Sequence, residues 1–211
     1  VKMDRRDKLR SLLKRAVAYI ESQVPADLNL DNNQDGRVDN VVFIIRGGTT
    51  AWSTLLWPHR WSLSKENVNI RGKRVWDYNL QLETHLLESG SSVLCHEMGH
   101  SLGAPDLYHY ESSPVDAVGS WDLMCSNSSP PQSMGAYMKF RYLGWIDQIP
   151  EIKDCGTYTI NPISSPTNNC FKVASPNSKT DFFVFEYRKR EGTFEGKIPG
   201  SGLLIYKINS T

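Results

Sequence analysis

The run His96-Glu97-Met98-Gly99-His100-Ser101-Leu102-Gly103-Ala104-Pro105-Asp106 limits what this chain can fold into more than any other stretch. Two histidines four residues apart act together only on a helix, where 3.6 residues per turn stacks their rings on one face. Two imidazole nitrogens so placed can grip one zinc ion. Glu97 follows the first histidine and leans toward the open side of such an ion, where a carboxylate can take a proton from bound water. Two ligands are not enough, because a catalytic zinc takes three protein ligands and keeps one position open. Gly103 permits a left-handed residue at the helix end, so the chain can double back. Pro105 prevents the helix from continuing, and Asp106 arrives where the chain returns to the metal. The expected zinc ligands are therefore His96, His100 and Asp106, with Glu97 as catalytic base.

This spacing resembles the metzincin pattern, with Asp in place of the usual third His. The competing arrangement draws its third ligand from a Glu on a later helix. The helix expected from about Gln132 to Leu143 has no Asp or Glu, which disfavours it; Glu111, Asp116 and Asp122 are the reserve ligands. Met124, in Ser120-Trp121-Asp122-Leu123-Met124, is read as a Met turn, a hydrophobic floor under the ligands. By itself it is an ordinary core methionine.

The remaining pattern is mixed. Leu9, Leu12, Leu13, Ala16, Val17, Ile20 and Val24 recur at helical spacing up to Pro25. Lys2, Arg5, Arg6, Lys8, Arg10, Lys14 and Arg15 fall on that helix's solvated face. Val41 to Ile45 is expected as a buried strand, residues 49 to 66 as a Trp-rich covering loop, and Val68 to Leu82 as a hairpin turning at Arg71-Gly72-Lys73. The motif helix is expected to begin near Ser89-Gly90-Ser91-Ser92, which supplies capping side chains. Strands are expected at Thr157–Ile160, Phe171–Ala174, Phe182–Arg188 and Leu203–Ile208. The fold class is α+β: a metzincin-like zinc peptidase catalytic domain with a mixed sheet, an active-site helix and a β-rich C-terminal part. Residues 1–211 are read as a single catalytic domain, with subdomains 1–103 and 104–211. Val1 is not an initiator Met and the chain stops just after a strand, so the expectation is a trimmed piece of a longer protein.

A second metal is suggested by Asp31-Asn32-Asn33-Gln34-Asp35-Gly36-Arg37-Val38-Asp39. Oxygen donors at Asp31, Asn33, Asp35 and Asp39, the carbonyl of Arg37, and Gly at the sixth position fit a structural calcium loop. Position twelve is Val42 rather than a bidentate Glu, so either the shell is completed elsewhere, with Asp27 or Asn29 as candidates, or the site is a weaker one. The competing reading is a solvated Asn/Asp turn. The net charge of +1 gives no support to nucleic-acid binding, and no apolar run is long enough to span a membrane. Four cysteines are too few for a disulfide scaffold. Cys155 and Cys170 flank a strand-like segment and could pair across a hairpin, Cys95 and Cys125 read first as small buried hydrophobes, and sequence alone does not decide the pairing.

Beyond the zinc motif, several segments resemble the immune inhibitor A family of secreted bacterial metallopeptidases. They are Asp35 to Ile44, Trp57-Pro58-His59-Arg60-Trp61, His96 to Tyr108, Gly119 to Met124, Phe183 to Arg188 and Pro199 to Ile205. The resemblance implies a secreted or cell-surface bacterial zinc endopeptidase with a metzincin-like catalytic domain, acting on protein or peptide substrates as a monomer. It also implies a propeptide and further C-terminal domains. Tyr206-Lys207-Ile208-Asn209 departs from an aromatic-His-hydrophobic-Asp ending common in the family. His59, Tyr108 and Tyr137 are candidates for a second electrophile. The alternatives are a non-catalytic binding module stabilised by zinc and calcium, or a calcium-dependent adhesin with a residual zinc motif; Glu97 argues against the first, since a purely structural site needs no base.

Overall fold

The computed structural model describes residues 5–48, 56–111 and 115–209. It is mixed α+β, with three small sheets and few helices. The chain divides into two compact units, Val1–Ser101 and Leu102–Thr211.

In the first unit, α1 (Arg5–Ile20) ends in a 3₁₀ turn at Glu21–Gln23, just before Pro25. Its buried stripe of Leu9, Leu13 and Val17 enters a core with Leu63, Val68, Ile70, Val75, Tyr78, Leu80 and Leu82. Arg10 departs from the expected solvated face: it is buried, with its guanidinium 2.9 Å from Asp7. Its apolar stem can lie along the core while the head is neutralised one turn back. Lys2 lies outside the described residues.

Strands β1 (Arg37–Val38), β4 (Asn69–Ile70) and β5 (Lys73–Val75) form one sheet in the order β1-β5-β4. The hairpin between β4 and β5 turns through Arg71 and Gly72, both at positive φ (48° and 78°), as a two-residue connection favours. The second sheet has the order β2-β6-β3, from β2 (Val41–Ile45), β3 (His59–Ser62) and β6 (Asp77–Leu82). Strand β2 runs parallel to β6 and β3 antiparallel. β2 is not the buried strand its composition suggests, since Val42 and Ile44 are exposed while Val41, Phe43 and Ile45 pack on the core. The covering loop expected over 49–66 is corrected at its end: 59–62 is strand, because the backbone of this four-residue segment pairs with β6. Residues 49–55 lie outside the described residues.

Strand β6 positions the motif helix. Side chains alternate across a strand, so Tyr78, Leu80 and Leu82 enter the core while Asp77, Asn79 and Gln81 take the other face. A short helix, α2 (Glu83–Ser89), follows, which the sequence reading lacked. Then comes α3 (Ser92–Ser101), which packs against β6 and β3. The Oγ of Ser92 donates to the carbonyl of Ser89 at 3.1 Å.

The second unit begins with irregular chain. Gly103 has φ +98°, and a Cβ built there would meet no heavy atom within 4 Å. Any other side chain is disfavoured by backbone conformation, not by lack of room. Asp122 is buried and accepts from the amides of Met124 (2.8 Å) and Gly135 (2.7 Å). The helix expected over 132–143 starts later, as α4 (Ala136–Met138) running into a π turn (Lys139–Leu143) that closes at left-handed Gly144. Gln132 is buried in the loop before it, with its Oε1 accepting from Ser128 N at 3.0 Å. Residues 157–160 form no strand. β7 (Cys170–Ala174), β8 (Phe182–Arg188) and β9 (Gly202–Ile208) form an antiparallel meander, with α5 (Gly192–Glu195) between the last two.

Arg188 is wholly buried in this unit. It donates to Glu195 (2.8 and 3.0 Å), Glu186 (3.0 Å) and the carbonyl of Trp121 (2.8 Å). Glu186 also accepts from Ala136 N (2.6 Å) and the Tyr206 hydroxyl (3.0 Å). Burial pushes the Tyr206 phenol well above its ordinary pKa, and the Glu186 charge adds to this. Arg188→Met strands two buried carboxylates, so urea unfolding should show a loss of about 3–5 kcal/mol, with the exposed Lys189→Met as a near-silent control. Gly103→Ala should cost about 1–2 kcal/mol from the φ requirement alone, read as a lowered thermal midpoint.

Candidate metal centre

Helix α3 is unusual in what it buries: Ser92, His96, Glu97 and Gly99 rather than an aliphatic stripe. Its C-terminal end is tied down by amides. Asn79 Nδ2 donates to Asn40 Oδ1 (3.0 Å) and Ser101 Oγ (3.1 Å), and Asn40 Nδ2 donates to Asp77 Oδ2 (2.8 Å) and Ser101 Oγ (2.9 Å). Asn79 Nδ2 also lies 3.2 Å from the Met98 sulfur. These bonds join buried polar groups whose loss of a partner would be costly, so they hold the helix in one position along the strand.

On this helix the rings of His96 and His100 stand edge to face, with centroids 4.8 Å apart and planes at 88°. The chain leaves the helix, turns at Gly103 and presents Asp106. Within this continuous run, one ligand atom from each of His96, His100 and Asp106 lies within 4.8 Å of the others. It is the one group of three or more His, Cys, Asp or Glu side chains among the described residues so arranged. Two imidazoles and a carboxylate are a donor set suited to zinc, and three protein ligands match an open catalytic site.

Glu97 is 9% exposed, and its Oε2 accepts the main-chain N–H of Arg60 on β3 at 2.7 Å. No sequence pattern announces this bond, because the donor is backbone on a distant strand. Met124 is wholly buried, and its carbonyl accepts from Leu107 N at 2.9 Å, so the turn is bonded to the residue after Asp106.

The reserve ligands are used otherwise. Asp122 holds the amides described above, and burial raises its pKa while the amides of Gly135 and Met124 oppose this. Asp116 Oδ1 accepts from His109 N at 3.2 Å, and Glu111 is exposed. Among the electrophile candidates, His59 lies on β3 with Nε2 3.2 Å from the Tyr78 hydroxyl. Tyr137 stacks edge-on to Phe182, and Tyr108 to Tyr110. Tyr110, absent from the sequence reading, donates its hydroxyl to Asp106 Oδ2; the signal available was its place one helical turn's count past the ligand.

The residues expected to hold calcium form a chain of turns instead. Asp31 accepts from Asp35 N and Gly36 N (both 2.9 Å), Asn33 Oδ1 from Asp35 N (3.1 Å), Asp35 Oδ1 from Arg37 N (2.9 Å) and Asp39 Oδ2 from Asn32 N (3.1 Å). The cation on Asp31 is Lys73, at 2.7 Å, and that bond holds the carboxyl below its usual pKa. Asp31, Asp35 and Asp39 do not converge as a metal-binding group among the described residues. All four cysteines are free, with Cys155 exposed and Cys170 buried. Burial pushes the Cys170 thiol up to about 11.

The chain shares sequence with known proteins over part of its length. A stretch of 119 residues is 27% identical to Immune inhibitor A of Bacillus thuringiensis subsp. alesti, covering 46% of this chain and 17% of that protein. A stretch of 94 residues is 29% identical to Pre-pro-metalloprotease PrtV of Vibrio cholerae serotype O1 (strain M66-2), covering 39% of this chain and 10% of that protein. The chain thus matches only a small part of each relative's length. No solved structure matches. The family described as "Immune inhibitor A peptidase M6, catalytic domain" matches residues 24–139, more than half of the chain, and that span contains the whole run from His96 to Asp106. By that match the chain belongs to the immune inhibitor A peptidase M6 family.

Proposed function

We propose that this chain is the catalytic domain of a secreted bacterial zinc endopeptidase, with His96, His100 and Asp106 holding the metal and Glu97 acting as base. The supporting observation is the convergence of those three side chains over one turn of helix and one reversal of chain. When bound, zinc supplies a Lewis acid that acidifies water and polarises the scissile carbonyl.

The protein's part is positioning and proton transfer. The Arg60 amide on Oε2 fixes the Glu97 carboxylate and assigns Oε1 to the proton: taken from the attacking water, then delivered to the leaving amine. A binding module would have no use for a buried, amide-anchored carboxylate beside its ligands. The metzincin-like reading extends to Met124, whose turn carries the residues behind Asp106. Both units are read as serving one catalytic domain, with proteins or peptides as substrates. Secretion is inferred from family membership. The proposal assigns zinc alone, and the loop 31–39 is taken as a turn locked by Lys73.

Glu97→Gln keeps the shape and removes the base. The expected result is full zinc occupancy by metal analysis with casein hydrolysis reduced by about 10²–10⁴-fold. Wild-type cleavage should stop with a zinc chelator and return on adding Zn²⁺. Undiminished cleavage by Glu97→Gln would rule out the assigned base, and cleavage indifferent to chelation would rule out the metallopeptidase.

A further inference from the structure

We infer that Tyr110 is a positioning residue for the metal: its phenol holds Asp106 so that the aspartate binds through one oxygen. The inference rests on the zinc reading above. Asp106 lies on irregular chain, where no regular hydrogen-bond ladder fixes a side chain's rotamer. A carboxylate so placed can offer a metal either oxygen or both, and each choice changes the coordination geometry. The Tyr110 hydroxyl donates to Oδ2, which commits that oxygen to the phenol and assigns Oδ1 to the metal.

Tyr110 is 82% exposed, so core packing does not account for its orientation. Local contacts do. Its ring stands edge-on to Tyr108, with centroids 5.4 Å apart and planes at 78°. The backbone on either side of Tyr108 is pinned, at Leu107 N to the Met124 carbonyl (2.9 Å) and at His109 N to Asp116 (3.2 Å). The ligand, the turn and the phenol therefore form one short bonded loop. An outer partner of this kind orients the first ligand and tunes its affinity. High exposure also means that removing the hydroxyl should not disturb the fold.

The test uses the 211-residue chain as wild type, Tyr110→Phe and Asp106→Asn. Zn²⁺ affinity is measured by competition with a chromophoric chelator, and Co²⁺-loaded samples are compared by visible absorption. Asp106→Asn should lose most of the affinity. Tyr110→Phe should weaken zinc by about tenfold, the low end for such partners, and shift the Co²⁺ bands, while the metal-free protein melts at the wild-type temperature. Wild-type affinity and an unchanged spectrum in Tyr110→Phe, beside a weakened Asp106→Asn, would overturn the positioning role alone. Unaltered affinity in Asp106→Asn would overturn the zinc assignment itself. A phenolate charge-transfer band in the Cu²⁺-loaded wild type, absent from Tyr110→Phe, would show Tyr110 to be a direct ligand and also overturn the positioning role.

Discussion

The bonds between β6 and the C-terminal end of α3 carry the rest of the arrangement. Most helices are held to a sheet by an aliphatic stripe, which tolerates sliding by a fraction of a turn. This helix spends its buried face on His96 and Glu97 and has little apolar surface left for that purpose. Asn79 and Asn40 replace it with directional bonds to Ser101. A hydrogen bond weakens steeply away from its preferred angle, whereas apolar burial is non-directional, so the polar attachment fixes the histidines axially as well as laterally. Catalytic and metal sites need tolerances of that order.

The second unit solves a different problem by related means. The turn at Met124 lies in irregular chain, and a charged cluster supplies the rigidity. Arg188 reaches the Trp121 carbonyl, and Asp122 gathers the amides of Met124 and Gly135. Burial works against the Arg188 charge, but hydrogen bonds and the nearby charges of Glu195 and Glu186 outweigh it and raise its pKa. Lys139 has no comparable support, and burial lowers its pKa despite the carboxylates nearby.

What was legible in the sequence was local. Two histidines at helical spacing, a glycine that must take positive φ, the Arg71-Gly72 turn and the Gly144 helix stop each follow from neighbouring residues, and each can be read without knowing the fold. Phe182–Arg188 shows its pairing through a dense run of aromatic and β-branched residues. The failures share a cause. Arg10 looks like a surface charge until Asp7 and the core claim it, and Gln132 looks helical until loop backbone claims its amide. Thr157–Ile160 has strand composition but no partner strand. In each case a residue distant in sequence, or the absence of one, outweighs the local signal.

The anchoring of Glu97 has an evolutionary corollary. Its partner is the main-chain nitrogen of residue 60, and every amino acid except proline carries the same donor there. The bond itself does not use the arginine side chain, which pairs with Asp77 instead, so a comparison of residue types at this position would show no trace of the constraint on the carboxylate. What selection must preserve is the path of the strand, so lengthening or shortening the segment between His59 and Ser62 by one residue is the change the site could not absorb.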